Sequence, residues 1–170
     1  MTVGTAASLD LPNDTMFIAT TPGRHGSRFY HGPGIFRAGQ FTKPVRALTF
    51  NTVGDFVCIS GMATGAICQA RIDNTNIREC TRLPGCIIIN GAKSLLCHGD
   101  SGGPVFSLTD NETAGVARGL VHSSYGTVVN CPDPLFGHFG FTSPTRVCST
   151  GVTFSELSNV LDLNKKLITE

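Results

Sequence analysis

The chain has 170 residues, with 13 basic against 12 acidic side chains and a formal net charge of +1 at neutral pH. That balance, without a basic stripe or a run of like charge, argues against a nucleic-acid partner and against a disordered charged tail. Charged residues make up only 15%, while Gly numbers 20 and Pro 9, as expected for many short strands joined by tight turns. No apolar stretch is long enough to cross a bilayer.

Residues 1–48 are rich in turns. Short strands are predicted over 16–20, 28–31 and 44–50, punctuated by Pro22-Gly23, Gly32-Pro33-Gly34 and Ala38-Gly39. No 3.6-residue apolar pattern survives so many breakers, so no helix is expected here. Residues 51–154 continue in the same style. Strands are predicted over 56–59, 67–72, 86–89, 104–108, 117–122 and 137–142, most of them rich in β-branched or aromatic residues. Strands at this spacing suggest a closed antiparallel barrel or a sandwich. The tail differs: Ser155 can cap a helix, Glu156 suits its first turn, and Lys165 and Lys166 suit its last. Leu157, Val160 and Leu161 then fall on one apolar face, so a short helix is expected over 155–170.

Seven cysteines are many for a cytosolic domain of this size and point to an oxidising compartment. There is no repeated C-x-x-C and no H-x-x-x-H, so no zinc cluster is expected. The odd count implies a free thiol or a partner outside the chain. Residues 1–20 contain neither a basic n-region nor a continuous apolar h-region, which leaves an exported protein without an export signal and suggests a chain that starts late.

The chemistry concentrates at Cys97-His98-Gly99-Asp100-Ser101-Gly102-Gly103-Pro104-Val105. A serine between glycines can sit on a tight turn where backbone approaches substrate closely. With no side chain at Gly99, its N–H and that of Ser101 can point into a cleft and bind the oxyanion formed when a hydroxyl attacks a carbonyl. One such donor is worth about 3 kcal/mol in the transition state. Asp100 must turn inward if Ser101 faces the cleft, and a buried carboxylate needs a cation or several N–H partners.

The stretch Gly99 to Pro104 matches the G-D-S-G-G-P signature of chymotrypsin-like serine proteases, and the chain resembles that family from Asp14 onward. Asn13-Asp14-Thr15-Met16-Phe17-Ile18 looks like the strand start that carries the family's catalytic aspartate. Val57-Cys58-Ile59-Ser60-Gly61, with Thr64-Gly65 and Cys68, resembles the first hairpin of the second barrel and is most like bacterial secreted members such as the streptogrisins and α-lytic protease. The resemblance implies an all-β, double antiparallel barrel whose first barrel is incomplete, with a short C-terminal helix. It divides the chain into a first-barrel remnant at 1–48, a second barrel at 49–154 and a helix at 155–170. It implies Ser101 as nucleophile, Asp14 as the residue orienting a histidine, Gly99 and Ser101 as the oxyanion hole, and Asp100 as the residue structuring the loop. It also implies a Cys58–Cys68 bridge and a Cys97–Cys131 bridge bracing the pocket. Cys80 and Cys86 are close enough to close a small loop, which would leave Cys148 over.

Two departures stand out. The mechanism needs a histidine base, which in the family lies upstream of the aspartate in a T-A-A-H-C or T-A-G-H-C motif. None of the five histidines precedes Asp14, and although His98 adjoins the loop, its order in the chain is wrong for the base. Either the chain is truncated, the reading preferred here, or the protein lost its base and kept a barrel that binds peptides or a partner. Second, many bacterial members pair the aspartate corresponding to Asp100 with an arginine just after the first hairpin cysteine. Ile59 stands there, leaving Arg78, Arg82 and Lys93 as candidate partners.

By the same match, Leu95 and Leu96 line the base of the specificity pocket, and Gly119 to Ser124 supply the opposite wall. A leucine at position 95 offers no counter-charge, so cleavage after Lys or Arg is not expected. Glu-selective relatives use a histidine and serines in this region, so His122, Ser123 and Ser124 make an acidic preference the runner-up to an apolar one. Asn13-Asp14-Thr15 and Asn111-Glu112-Thr113 fit the glycosylation pattern. The expected protein is a secreted monomeric serine endopeptidase acting on peptides or proteins through an acyl-enzyme. It needs no cofactor and no metal, and it has no nucleic-acid or membrane partner.

Overall fold

The computed structural model describes residues 4–10, 15–20, 27–32, 41–61, 63–77, 86–90, 95–130 and 147–160. Eleven strands fall within them: β1 (Gly4–Asp10), β2 (Thr15–Thr20), β3 (Arg28–Tyr30), β4 (Thr42–Leu48), β5 (Phe56–Gly61), β6 (Gly65–Ile77), β7 (Cys86–Asn90), β8 (Leu96–Cys97), β9 (Pro104–Leu108), β10 (Gly115–Asn130) and β11 (Val147–Glu156). One short helix follows, α1 (Leu157–Val160).

Strands β1 and β2 form an antiparallel pair of their own, and the other nine make one sheet in the order β3-β4-β10-β9-β5-β6-β7-β11-β8. Because β10 also pairs with β11, the strands β10, β9, β5, β6, β7 and β11 close into a six-stranded antiparallel barrel. Closure leaves no free edge among those six strands. Two-residue periodicity fills the interior: Val57 and Ile59 of β5, Ala70 and Ile72 of β6, Ile87 and Ile89 of β7, and Val152 and Phe154 of β11 form one cluster with Val105 and Val121. Ile59, Ile72, Ile89, Val152 and Phe154 are completely buried.

A second cluster lies on the outside of the barrel wall, where Phe29, Val45, Cys58 and Phe106 pack together. The rings of Phe29 and Phe106 stack with centroids 4.0 Å apart. This contact holds β3 and β4 against the barrel, and β4 extends the sheet by pairing parallel with the start of β10. Cys58 is bridged to Cys68 across the β5–β6 hairpin, as the sequence resemblance implied.

Several boundaries differ from expectation. The strand at 104–108 is reproduced residue for residue, whereas the one expected over 117–122 runs on to Asn130 with register shifts at Val121/Ser123 and Tyr125/Val128. Strand β11 was not anticipated, and the segment 137–142 lies outside the described residues. Ser155 does not cap a helix: it is buried in β11, opposite Leu120 on β10 and Cys86 on β7. The helix begins only at Leu157, because the ladder with β10 runs to Glu156. Glu156 accepts hydrogen bonds at Oε1 from the Asn51 backbone and side-chain N–H groups at 3.0 and 2.9 Å.

His31, just after β3, is half-buried against Phe106. Burial pushes its imidazole below the usual 6.5, Lys43 acts in the same direction, and Glu112 opposes them. The unfolded chain therefore takes up this proton at a higher pH than the folded one, so the fold loses stability as pH falls through the unfolded value. Urea midpoints taken between about pH 7.5 and about pH 5 are expected to fall further for wild type than for His31→Asn; parallel curves would assign the acid sensitivity elsewhere.

Candidate active site

The loop His98 to Gly103 joins β8 to β9, and its conformation follows from its glycines. Gly99 has φ +106° and Gly102 φ +79°, backbone geometries that side chains resist. The two glycines flank Asp100 and Ser101 and let the chain reverse twice: Asp100 N–H donates to Cys97 C=O at 3.2 Å, and Gly103 N–H to Asp100 C=O at 3.0 Å. The loop is tied to β10 by Gly102 N–H to Val121 C=O at 2.9 Å and Val121 N–H to Gly103 C=O at 2.8 Å.

Asp100 turns inward, as its position predicted, and is 1% exposed. No cation meets it among the described residues. Its Oδ1 accepts from the backbone N–H groups of Ala63 at 2.6 Å and Thr64 at 3.1 Å, and its Oδ2 from Cys97 N–H at 2.9 Å. Three amides thus do the work that the sequence comparison assigned to an arginine. Ile59, at the arginine's position, is wholly buried in the barrel core and cannot take part. Arg78, Arg82 and Lys93 lie outside the described residues. Gly61 makes the cage possible, because a Cβ there would stand 2.1 Å from Asp100 Oδ1.

With Asp100 inside, Ser101 is exposed. Among the described residues its hydroxyl has no hydrogen-bond partner, and neither the Gly99 nor the Ser101 N–H has a backbone acceptor. Ser101 stands at a cleft of about 200 Å³ that also collects Leu96, His98, His122, Ser123 and Ser124. Four of the five expected pocket residues are therefore brought to the serine. The fifth, Leu95, lies in the barrel core at 3% exposure and does not line the cleft. Its N–H is bonded to Ser149 C=O at 2.8 Å, where β8 runs beside β11.

The far wall is one the sequence did not disclose: Val147, Cys148 and Ser149 of β11, with Val128 of β10. Cys148 stands directly opposite Cys97 in the β8–β11 pairing, and the two are joined by a disulfide. This corrects the Cys97–Cys131 bridge that the resemblance implied and the expectation that Cys148 is left over: strand register places Cys148 directly opposite Cys97. Cys131 and Cys80 lie outside the described residues, as does the side chain of Cys86. Ser123 is held from the β11 side, its hydroxyl 2.7 Å from that of Thr153. No carboxylate lines the cleft among the described residues. Asp14 also lies outside the described residues, immediately before β2.

No protein-family model and no curated protein sequence matches this chain. Solved structures do. The chain is similar to a chymotrypsin of Cellulomonas bogoriensis, with a TM-score of 0.64 and 21% identity, covering 98% of this chain and 76% of that one. It is similar to Thermobifida fusca Protease A, with a TM-score of 0.64 and 19% identity over 98% of this chain and 75% of that one. A glutamic-acid-specific serine protease, described as using a histidine triad in substrate binding, matches with a TM-score of 0.61 and 15% identity over 93% and 69% of the two chains. The chain thus has the chymotrypsin-like β-barrel fold of bacterial serine proteases. Among the described residues no helix is long and apolar enough to cross a membrane.

Proposed function

We propose that this chain carries the nucleophile half of a secreted, monomeric serine endopeptidase that cleaves peptide bonds through an acyl-enzyme. The observation that carries the reading is the exposed Ser101, held between two positive-φ glycines by a fully caged Asp100 at the mouth of a cleft. In this mechanism Ser101 Oγ attacks the scissile carbonyl, and the N–H groups of Gly99 and Ser101 receive the charge that develops on its oxygen. Asp14 orients a histidine that takes the serine proton and returns it to the leaving amine. No histidine precedes Asp14, so the 170 residues alone are proposed to turn over peptides negligibly. The same observation favours a second reading, a non-catalytic barrel that binds peptides or a protein partner.

Apolar side chains are the preferred occupants of the cleft, which is walled by Leu96, Val128 and Val147 and has no carboxylate among its described lining residues. Acidic side chains are the runner-up through His122, Ser123 and Ser124. The test starts with the coding sequence ahead of Met1. An in-frame export signal and histidine motif support the enzyme, and an authentic start at Met1 supports the binding module. The longest in-frame chain, profiled on a peptide library, is then expected to cleave after apolar residues. Dominant cleavage after Lys or Arg would refute both preferences.

A further inference from the structure

Away from the cleft, on the outer face of the barrel, His31 approaches the Cys58–Cys68 bridge. Its Nε2 lies 3.6 Å from Cys68 Sγ, although 37 residues separate the two in sequence. The ligand atoms of His31, Cys58 and Cys68 all lie within 4.8 Å of one another. A tetrahedral zinc ion, with Zn–S of about 2.3 Å and Zn–N of about 2.0 Å, needs sulfur and nitrogen about 3.5 Å apart. The observed spacing already meets that requirement for one sulfur.

We propose that reduction of the Cys58–Cys68 disulfide converts this cluster into a zinc site with His31, Cys58 and Cys68 as ligands and an open fourth position for water. The imidazole is already in place, packing edge-on against Phe106 with centroids 5.9 Å apart, and the backbone beneath it is fixed by the His31 main-chain N–H donating to Phe41 C=O at 2.5 Å. Cys58 and Cys68 face each other across the β5–β6 hairpin with Cα atoms 3.9 Å apart, so side-chain rotation can part the sulfurs once the bond is broken. Cys58 is buried, while His31 and Cys68 are only half-buried, which leaves a path for the ion and its water.

A dithiol gives two electrons and two protons to the S–S bond, becomes a cyclic disulfide and leaves two protein thiols. Zinc(II) then displaces two protons from those thiols and binds two thiolates and neutral imidazole, so the site carries no net charge. Among the described residues Lys43 and Glu112 are the charged groups that act on His31, and the Lys43 ammonium is hydrogen-bonded to the Glu112 backbone carbonyl. The site would staple the segment after β3 to the β5–β6 hairpin, where Ala66 N–H already donates to Gly32 C=O at 2.7 Å.

The test uses the full chain reduced with a phosphine, which becomes the phosphine oxide and, unlike a dithiol, does not compete for metal. One equivalent of zinc is added, followed by an alkylating agent and peptide mapping. The expected result is that zinc slows alkylation of Cys58 and Cys68 by at least about tenfold in wild type and by far less in His31→Ala. Equal protection in the variant, or protection of Cys58 and Cys68 no greater than that of Cys97 and Cys148, would overturn the proposal. Should reduction unfold the chain, zinc is expected to restore its circular dichroism in wild type and not in His31→Ala. Failure to restore it, or equal restoration in the variant, counts against the site. Cobalt(II) gives an independent readout, with thiolate charge-transfer and tetrahedral bands expected only when His31 is present.

Discussion

Replacing Asp100 with alanine is expected to destabilise the protein by about 3–5 kcal/mol and to disorder the loop that presents Ser101. The carboxylate is 1% exposed and accepts from three backbone amides, those of Ala63, Thr64 and Cys97. Alanine leaves all three donors buried without acceptors, at about 1–3 kcal/mol each before relaxation. It also leaves a void where the carboxylate stood. Asp100→Asn keeps the volume and one oxygen but turns an N–H toward an amide, so a smaller loss is expected from it. Denaturant midpoints order the three proteins, and amide hydrogen exchange at Ala63, Thr64 and Cys97 locates the damage. Exchange that rises in Asp100→Ala only at global unfolding would mean the cage does not hold the loop.

The second large effect belongs to Cys148. Its bridge to Cys97 spans 51 residues, whereas the Cys58–Cys68 bridge spans 10. Restriction of the unfolded chain grows with loop size, so the longer bridge is worth about 4 kcal/mol and the shorter about 3 kcal/mol. Cys148→Ser is therefore expected to cost more stability than Cys68→Ser, and also to loosen the cleft wall, since Cys97 and Cys148 both line it. Guanidinium unfolding under oxidising conditions measures the first effect. Peptide mapping without reduction should recover Cys97 joined to Cys148, and a dominant Cys97–Cys131 peptide would contradict the strand register described here.

The parts of the fold that were legible in the sequence are those where local chemistry and tertiary environment agree. Pro104–Leu108 starts at a proline, carries the strand formers Val105 and Phe106 and ends before a turn, and it forms β9 with the expected bounds. The nucleophile loop was legible because its backbone demands glycine at positions 99 and 102, and no other residue type supplies those φ values cheaply. Strand β11 was missed for the opposite reason. Its sequence, VCSTGVTFSE, mixes small polar residues and a glycine with only two large inward side chains, Val152 and Phe154. Ser149, Thr153 and Ser155 are buried there because neighbouring strands cover them, which nothing local announces. Missing β11 meant missing Cys148 as the partner of Cys97, since a cross-strand bridge depends on register and not on spacing along the chain. The cage around Asp100 was hidden in the same way: backbone amides leave no trace in side-chain identity, whereas candidate cations such as Arg78, Arg82 and Lys93 do. Gly61 was the one available signal, a glycine closing a strand whose missing Cβ makes room for a carboxylate from another loop.

The central claim is that Ser101 is set apart from every other serine by the loop that holds it. Mass spectrometry of the 170-residue chain after saturating exposure to a fluorophosphonate, beside Ser101→Ala, tests this most directly. The expected result is one principal adduct, on Ser101, accumulating slowly for want of a histidine base and absent from the variant. Adducts spread over Ser123, Ser124 and other exposed serines, with Ser101 no more reactive than they are, would contradict it.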